Sequence, residues 1–282
     1  MEDETRTALA RYIAHESGSV QGWFARVDAE IYRAILLGQS EQNLSGSAIE
    51  IGIHHGRSFV ALCLALRSDE KAYCIDIFDD QNLNKDSSGK GDRSIFESNL
   101  ARFGIDREKV VIDPRSSQHV KPAEIVDAVG PARLFSIDGG HWEDVVRSDL
   151  RLAESSLARH GVIALDDFLR SEWPNVSAGY FAWYAARATP LVPFAIGANK
   201  LYLCQEQWAS FYRGLLAKDP FLGLFLARHV DFQGFTIPVY QQYISPEMQF
   251  RARLFAYFRV FNPELYARIK RIVRSMPRTK PD

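Results

Sequence analysis

The sequence has only three cysteines, Cys63, Cys74 and Cys204, and no Cys-x-x-Cys spacing. Each lies in or at the end of an apolar run, the setting of a buried, reduced core thiol rather than of a disulfide framework or a zinc cluster. Long hydrophobic runs are missing too: nothing approaches the ~18 uninterrupted apolar residues of a membrane span. The N-terminus is rich in Glu, Asp and Arg and lacks the apolar core of a signal peptide, so a soluble, cytoplasmic protein is expected. Net charge is almost absent, since 34 Lys and Arg against 35 Asp and Glu leave −1 at pH 7. That balance excludes a global attraction for nucleic acid or anionic lipid and leaves only local patches. The last segment supplies one, with Arg268, Lys270, Arg271, Arg274, Arg278 and Lys280 interleaved with Ile269, Ile272, Val273 and Met276. Such a stretch can touch acidic lipid or a phosphorylated substrate, but a solvated basic face on a terminal helix is the simpler account.

Low-complexity segments and internal repeats are absent, and 46% of the residues are apolar against 24% charged, the balance of a chain able to bury a sizeable core. A length of 282 residues suits one α/β core with terminal additions, and therefore one active site. From about residue 46 to 204, short apolar runs alternate with helical patterns, which implies βαβ units and a mainly parallel sheet. The spacing predicts strands at Ala48 to Gly52, Ala72 to Ile77, Val110 to Asp113, Leu134 to Asp138 and Val162 to Asp166. Each ends at or next to a polar or glycine residue, as buried parallel strands do. Leu191 to Ile196 and Lys200 to Cys204 read as an antiparallel edge hairpin. The expected fold class is thus doubly wound α/β with a seven-stranded sheet.

Helical patterns fill the gaps at Ser58 to Arg67, Ser94 to Phe103, Pro122 to Val129, Trp142 to Arg159 and near Asn175 to Arg187. The segment Asp79 to Arg93 is polar, carries Gly89 and Gly91, and is long enough to be a functional loop. Two N-terminal helices are expected, Glu4 to Ala14 and Trp23 to Leu37. Beyond residue 205 the pattern is mostly helical and strongly aromatic, better explained as core or partner surface than as a ligand cage. The expected organisation is a helical cover over 1–45, a cofactor-binding domain over 46–204 and an aromatic-rich region over 205–282.

The first predicted strand runs into Glu50-Ile-Gly-Ile-His-His-Gly-Arg-Ser58, a turn feeding a helix. Glycines at 52 and 56 let the backbone approach a ligand closely, and the helix N-terminus offers unpaired N–H groups. An acid stands where the dinucleotide pattern has its first glycine, and the later spacing is wider. Asp76, at the end of the second strand, can accept both hydroxyls of a ribose or can serve as a plain cap. The ends of the fourth and fifth strands, Ser136-Ile-Asp-Gly-Gly-His141 and Ala164-Leu-Asp-Asp-Phe168, bring Asp138, Asp166 and Asp167 to one sheet edge. Carboxylates so close are costly unless a cation or a proton neutralises them, and a divalent ion of the Mg²⁺ type resolves the conflict with oxygen ligands alone. His141 is a candidate general base beside that site.

With these motifs, the segment from about Val20 to Cys204 resembles class I S-adenosylmethionine methyltransferases, specifically the metal-dependent O-methyltransferases that include catechol and macrolide-sugar enzymes. The resemblance implies that Glu50, Gly52, Gly56 and Ser58 hold the methionine end of S-adenosylmethionine, Asp76 the ribose, and Ser117 and Gln118 the adenine. It implies Asp138, Asp166 and Asp167 as metal ligands, with Asp138 also beside the cofactor. Catechol enzymes carry Asn where Asp167 stands and Lys where His141 stands, so the pattern is more like the macrolide-sugar and polysaccharide-cluster branch. The acceptor is then expected to be a small-molecule hydroxyl of a sugar or other polyol, and the enzyme a homo-oligomer. His141 would take the acceptor proton while a Mg²⁺ ion orients the hydroxyl. Asp79 to Arg93 and the N-terminal helices would cover the acceptor. Cephalosporin-hydroxylase-like enzymes resemble the same strand-end motifs, and a non-catalytic scaffold is a further alternative.

Overall fold

The computed structural model describes residues 2–84, 87–243 and 245–275. Of the basic terminal segment, Arg278 and Lys280 lie outside the described residues, as do the side chains of Lys270 and Arg274. In chain order the elements are α1 (Glu2–Arg11), α2 (Arg26–Glu41), β1 (Ser47–Ile51), α3 (Arg57–Leu64), β2 (Ala72–Ile75), α4 (Arg93–Arg102) and β3 (Val110–Asp113). There follow α5 (Pro122–Val129), β4 (Ala132–Ile137), α6 (Glu143–Ser156), β5 (Leu157–Leu165), α7 (Pro174–Ala186), β6 (Leu191–Ile196) and β7 (Leu201–Gln205). The chain closes with α8 (Glu206–Ala217), α9 (Pro220–Gly223), β8 (Leu226–Phe232), β9 (Phe235–Tyr240), α10 (Pro246–Phe261) and α11 (Pro263–Ser275).

The strands form one sheet in the order β3-β2-β1-β4-β5-β7-β6-β9-β8. β1 to β5 pair in parallel, and β7 inserts antiparallel between β5 and β6. The chain runs from the central β1 outward through β2 to β3 and then returns to β4 on the other side of β1, so helices fall on both faces, as in doubly wound α/β proteins. One face carries a core that runs from Tyr12 and Ile35 through Phe59 and Phe96 to Tyr212 and Phe221, so the N-terminal helices and the C-terminal region share it. The other carries Phe135, Leu150, Tyr180 and Trp183 under α6 and α7. The three cysteines are free and buried, as expected. No helix among the described residues is long and apolar enough to cross a membrane.

Among the described residues the sheet has nine strands where seven were expected. The extra pair, β8 and β9, lies in the region read as mostly helical. Gln233 and Gly234 have φ of 51° and 83°, the left-handed pair that closes a tight hairpin whose twist matches its strands. β9 joins the sheet through a single Ile196↔Val239 pairing, and most of β8 is exposed at the outer edge, including Arg228, His229 and Asp231. Other boundaries moved as well, two of them for a visible reason. The helix expected from Trp23 begins at Arg26, because Gly22 to Phe24 is an irregular turn whose Trp23 is 75% exposed. The helix expected to reach Arg159 stops at Ser156 because Leu157 already pairs with Ala132 of β4.

Candidate active site

The carboxyl ends of β1, β2, β4 and β5 open into a cavity of about 670 Å³, within the size range of small-molecule pockets. Gly52, Ser58, Asp76, Ser117, Gln118, Asp138, His141, Asp166 and Asp167 all line it. So do Gln21 to Trp23 from the N-terminal turn, and residues from Gln81 to Gly91 of the polar segment. Among the residues assigned to the cofactor, Glu50 and Gly56 are not on the wall.

Gly52 has φ of 81°, and a Cβ there would lie 1.7 Å from the Asp138 carbonyl oxygen, so the turn after β1 can hug the end of β4 only with glycine. Gly56, with φ of 88°, caps α3, and a Cβ would meet the Phe96 ring at 2.7 Å. Its glycine is thus demanded by packing against α4. Glu50 is 0% exposed and accepts from Ser136 Oγ at 2.8 Å, while its Oε2 has no hydrogen-bond partner. Burial pushes its carboxyl up to about 7, against the pull of Lys200 and of the Ser136 hydroxyl. Asp76 holds the loop instead: its Oδ2 accepts from the N–H groups of Ile53 at 2.5 Å and His54 at 2.9 Å, and its Oδ1 from that of Phe78 at 2.6 Å. A carboxylate offers about four acceptor positions, so little capacity remains for a second ligand hydroxyl.

Asp138, Asp166 and Asp167 offer oxygen atoms within 4.8 Å of one another. Asp167 sits at φ 53°, in the left-handed region that aspartate tolerates better than most residues. Its N–H donates to Asp166 Oδ1 at 2.9 Å, and its Oδ2 lies 3.0 Å from His141 Nε2. The Trp173 ring stacks on His141 at 3.9 Å between centroids, with 12° between the planes. Beneath the cluster lies a residue to which the sequence reading gave no role. Lys200 Nζ is 2.7 Å from Asp166 Oδ2 and 3.8 Å from Asp138 Oδ2. The first contact is an ion pair rather than a well-directed hydrogen bond. Burial and the Asp166 charge push the Asp138 carboxyl well above its usual range. Burial acts the same way on Asp166, but Lys200 overcomes it and holds that carboxyl low.

The three carboxylates have the chemistry of a hard-cation site, yet the two that would share an ion already face a buried ammonium. The residues therefore do not fit a divalent ion in the way the sequence suggested. Lys200 had one signal: β5 and β7 pair with Leu165 opposite Leu201, which puts the residue before Leu201 beside Asp166. That register cannot be read without knowing that the edge hairpin lies against β5.

A glycine turn after β1, an acid after β2 and carboxylates after β4 and β5, all around one cavity at the switch point of a doubly wound sheet, define a nucleotide-type cofactor site in an α/β enzyme. Residues 49–168, which carry every one of those strand ends, match the family described as a methyltransferase domain. Among solved structures the chain is similar to the O-methyltransferase NovP, at 16% identity over 64% of this chain and 79% of that one, with a TM-score of 0.53. It is also similar to CalS11, a TDP-rhamnose 3'-O-methyltransferase of calicheamicin biosynthesis, at 15% identity, 63% and 76% coverage and a TM-score of 0.45. An O-methyltransferase from Bacillus cereus in complex with SAH aligns at 14% identity, 72% and 90% coverage and a TM-score of 0.46. At such identities the likeness is one of fold. No curated protein matches the chain in sequence.

Proposed function

We propose that this chain is an S-adenosylmethionine-dependent O-methyltransferase that methylates a hydroxyl of a sugar or other polyol, with His141 as the general base. The observation that carries the reading is that the glycine turn with Asp76 and the His141–Asp167 pair face the same cavity from adjacent strand ends. The cavity's size, the close backbone approach at Gly52 and the polar pair Ser117 and Gln118 suit an adenosine-bearing cofactor. When bound, S-adenosylmethionine supplies an electrophilic sulfonium methyl group.

The residues divide the remaining work. A hydrogen on His141 Nε2, donated to Asp167 Oδ2, places the imidazole's basic lone pair on Nδ1. That nitrogen takes the acceptor's proton as its oxygen bonds to the methyl carbon and the carbon–sulfur bond breaks. Trp173 and Asp167 fix the ring's plane and tautomer, which shortens the search for a productive geometry. Trp142 and Trp173 line the cavity beside His141 and offer apolar faces next to polar groups, a combination suited to a polyol ring. The Mg²⁺ implied by the resemblance has no step here, because Lys200 already faces Asp138 and Asp166.

Calorimetric titration with S-adenosylmethionine, followed by mass analysis of products from a panel of sugars and polyols, tests the reading. Saturable one-site binding and a product heavier by one methyl group are expected. Absence of binding overturns the cofactor assignment, and an oxygenated product would favour the hydroxylase-like alternative.

A further inference from the structure

Lys200 is placed with unusual rigidity for a lysine. It ends the turn between β6 and β7, and its side chain is 2% exposed. Three contacts fix that turn. The Gly197 N–H donates to the Lys200 carbonyl at 2.7 Å, and the Phe168 N–H donates to the Asn199 carbonyl at 3.0 Å, tying the turn to the loop that bears Asp166 and Asp167. From α2, the Asp28 carboxylate accepts from the Ala198 N–H at 3.2 Å and from the Tyr202 hydroxyl at 2.7 Å. Gly197 is required there, since a Cβ would fall 1.7 Å from Asp28 Oδ1. The backbone of the turn is thereby fixed, and it starts the lysine side chain from inside the protein, beside Asp166.

Burying an ammonium is costly unless opposite charge meets it, and the acids around Lys200 meet that need. Asp166 and Asp138 lie within 4.0 Å, and Asp28 and Tyr32 are near enough to act on it electrostatically. A divalent ion held by Asp138 and Asp166 would share their oxygens with Lys200 and be repelled by it at short range.

We propose that Lys200 is the resident cation of this acidic cluster, standing in for a divalent ion, so that the site binds no divalent metal and methyl transfer needs none. Lys200 is a positioning residue: it keeps Asp138 and Asp166 together at the floor of the cavity and does not itself line the wall. One consequence concerns the acceptor. A metal centre selects substrates that chelate through two neighbouring oxygens, whereas a site with a built-in ammonium needs a single hydroxyl within reach of His141. The activity part of this inference rests on the methyl-transfer reading; the metal part does not.

The test uses the full chain stripped of metal by dialysis against a chelator. Mn²⁺ alone is the probe, followed by the electron paramagnetic resonance signal of the free ion. Wild type is expected to leave that signal unchanged. Lys200→Met, which keeps the length and removes the charge, is expected to quench it, and adding Asp166→Asn to that variant is expected to restore it. Quenching by wild type that Asp166→Asn abolishes would overturn the proposal, as would a folded Lys200→Met that ignores Mn²⁺. Should Lys200→Met not fold, the wild-type titration still decides. In parallel, chelator-treated wild type is expected to retain its methyl-transfer rate, and a loss of that rate restored by Mg²⁺ would overturn the proposal. If no methyl transfer occurs with or without metal, the proposed activity fails while the Mn²⁺ titration still stands or falls by itself.

Discussion

His141 and Asp167 come from different strand ends and meet at 3.0 Å, so the pair exists only because β4 and β5 are neighbours. Replacing His141 by Ala removes the proton acceptor but leaves the glycine turn and Asp76 untouched. Turnover is expected to fall by about 10²- to 10⁴-fold, the usual worth of a positioned general base, with calorimetric affinity for S-adenosylmethionine unchanged. At this scale the sequence was legible wherever chemistry and backbone geometry sit in a few consecutive residues. Gly52, Asp76, Asp138, His141, Asp166 and Asp167 all announce themselves as breaks at the ends of apolar runs, and all reach the cavity. Glu50 shows the limit, because its place in the motif does not reveal that its carboxylate turns inward to Ser136. Lys200 shows it more sharply: its meaning comes from a partner across the sheet.

Between elements, a buried ion network ties α2 to the C-terminal region. Glu30 is fully buried and accepts from Arg33 Nε at 2.6 Å and from both terminal nitrogens of Arg259 at 2.8 and 2.5 Å, and Arg33 in turn pairs with Asp219. Burial alone would raise the Glu30 carboxyl, but Arg259 and Arg33 overcome it and hold it at about 2. Glu30→Ala would take the carboxylate from the buried Arg259 guanidinium and leave Arg33 with Asp219 alone. A loss of about 3–5 kcal/mol, read from the urea midpoint, is expected, the usual cost of breaking a buried pair by removing one partner. A drop of less than about 1 kcal/mol, the worth of an exposed pair, would show that the network is peripheral. None of this was visible in the sequence, because α2 and α10 are separated by most of the chain. The hairpin of β8 and β9 was missed for another reason: its Gln233-Gly234 turn is a modest signal between two segments of helical pattern.

Across the whole molecule, stability should depend on pH in a direction set by buried acids. Asp149 is buried on α6 with neither carboxylate oxygen hydrogen-bonded, and burial pushes its carboxyl up to about 7, against the pull of the nearby Ser117 hydroxyl. In the unfolded chain the same group titrates at about 4. Between those values the folded state holds a proton that the unfolded state has lost, so this group's contribution to stability falls as pH rises and is fully lost above 7. The expected loss is about 4 kcal/mol. Asp149→Asn should therefore flatten the fall in melting temperature between pH 5 and 8 seen by calorimetry, and an unchanged slope would mean that the carboxyl stays ionised throughout.

The added hairpin also decides where the sheet stops. Without β8 and β9, the final strand would be β6, whose Leu191, Val192, Phe194 and Ala195 are buried and whose outward hydrogen-bonding groups would offer a template to any passing extended chain. With them, the sheet terminates in a strand bearing Arg228, His229 and Asp231, and charged side chains on an edge oppose the zippering of one molecule onto the next. The hairpin, none of whose residues lines the cavity, thus gives the sheet a charged edge that disfavours strand-to-strand pairing between molecules.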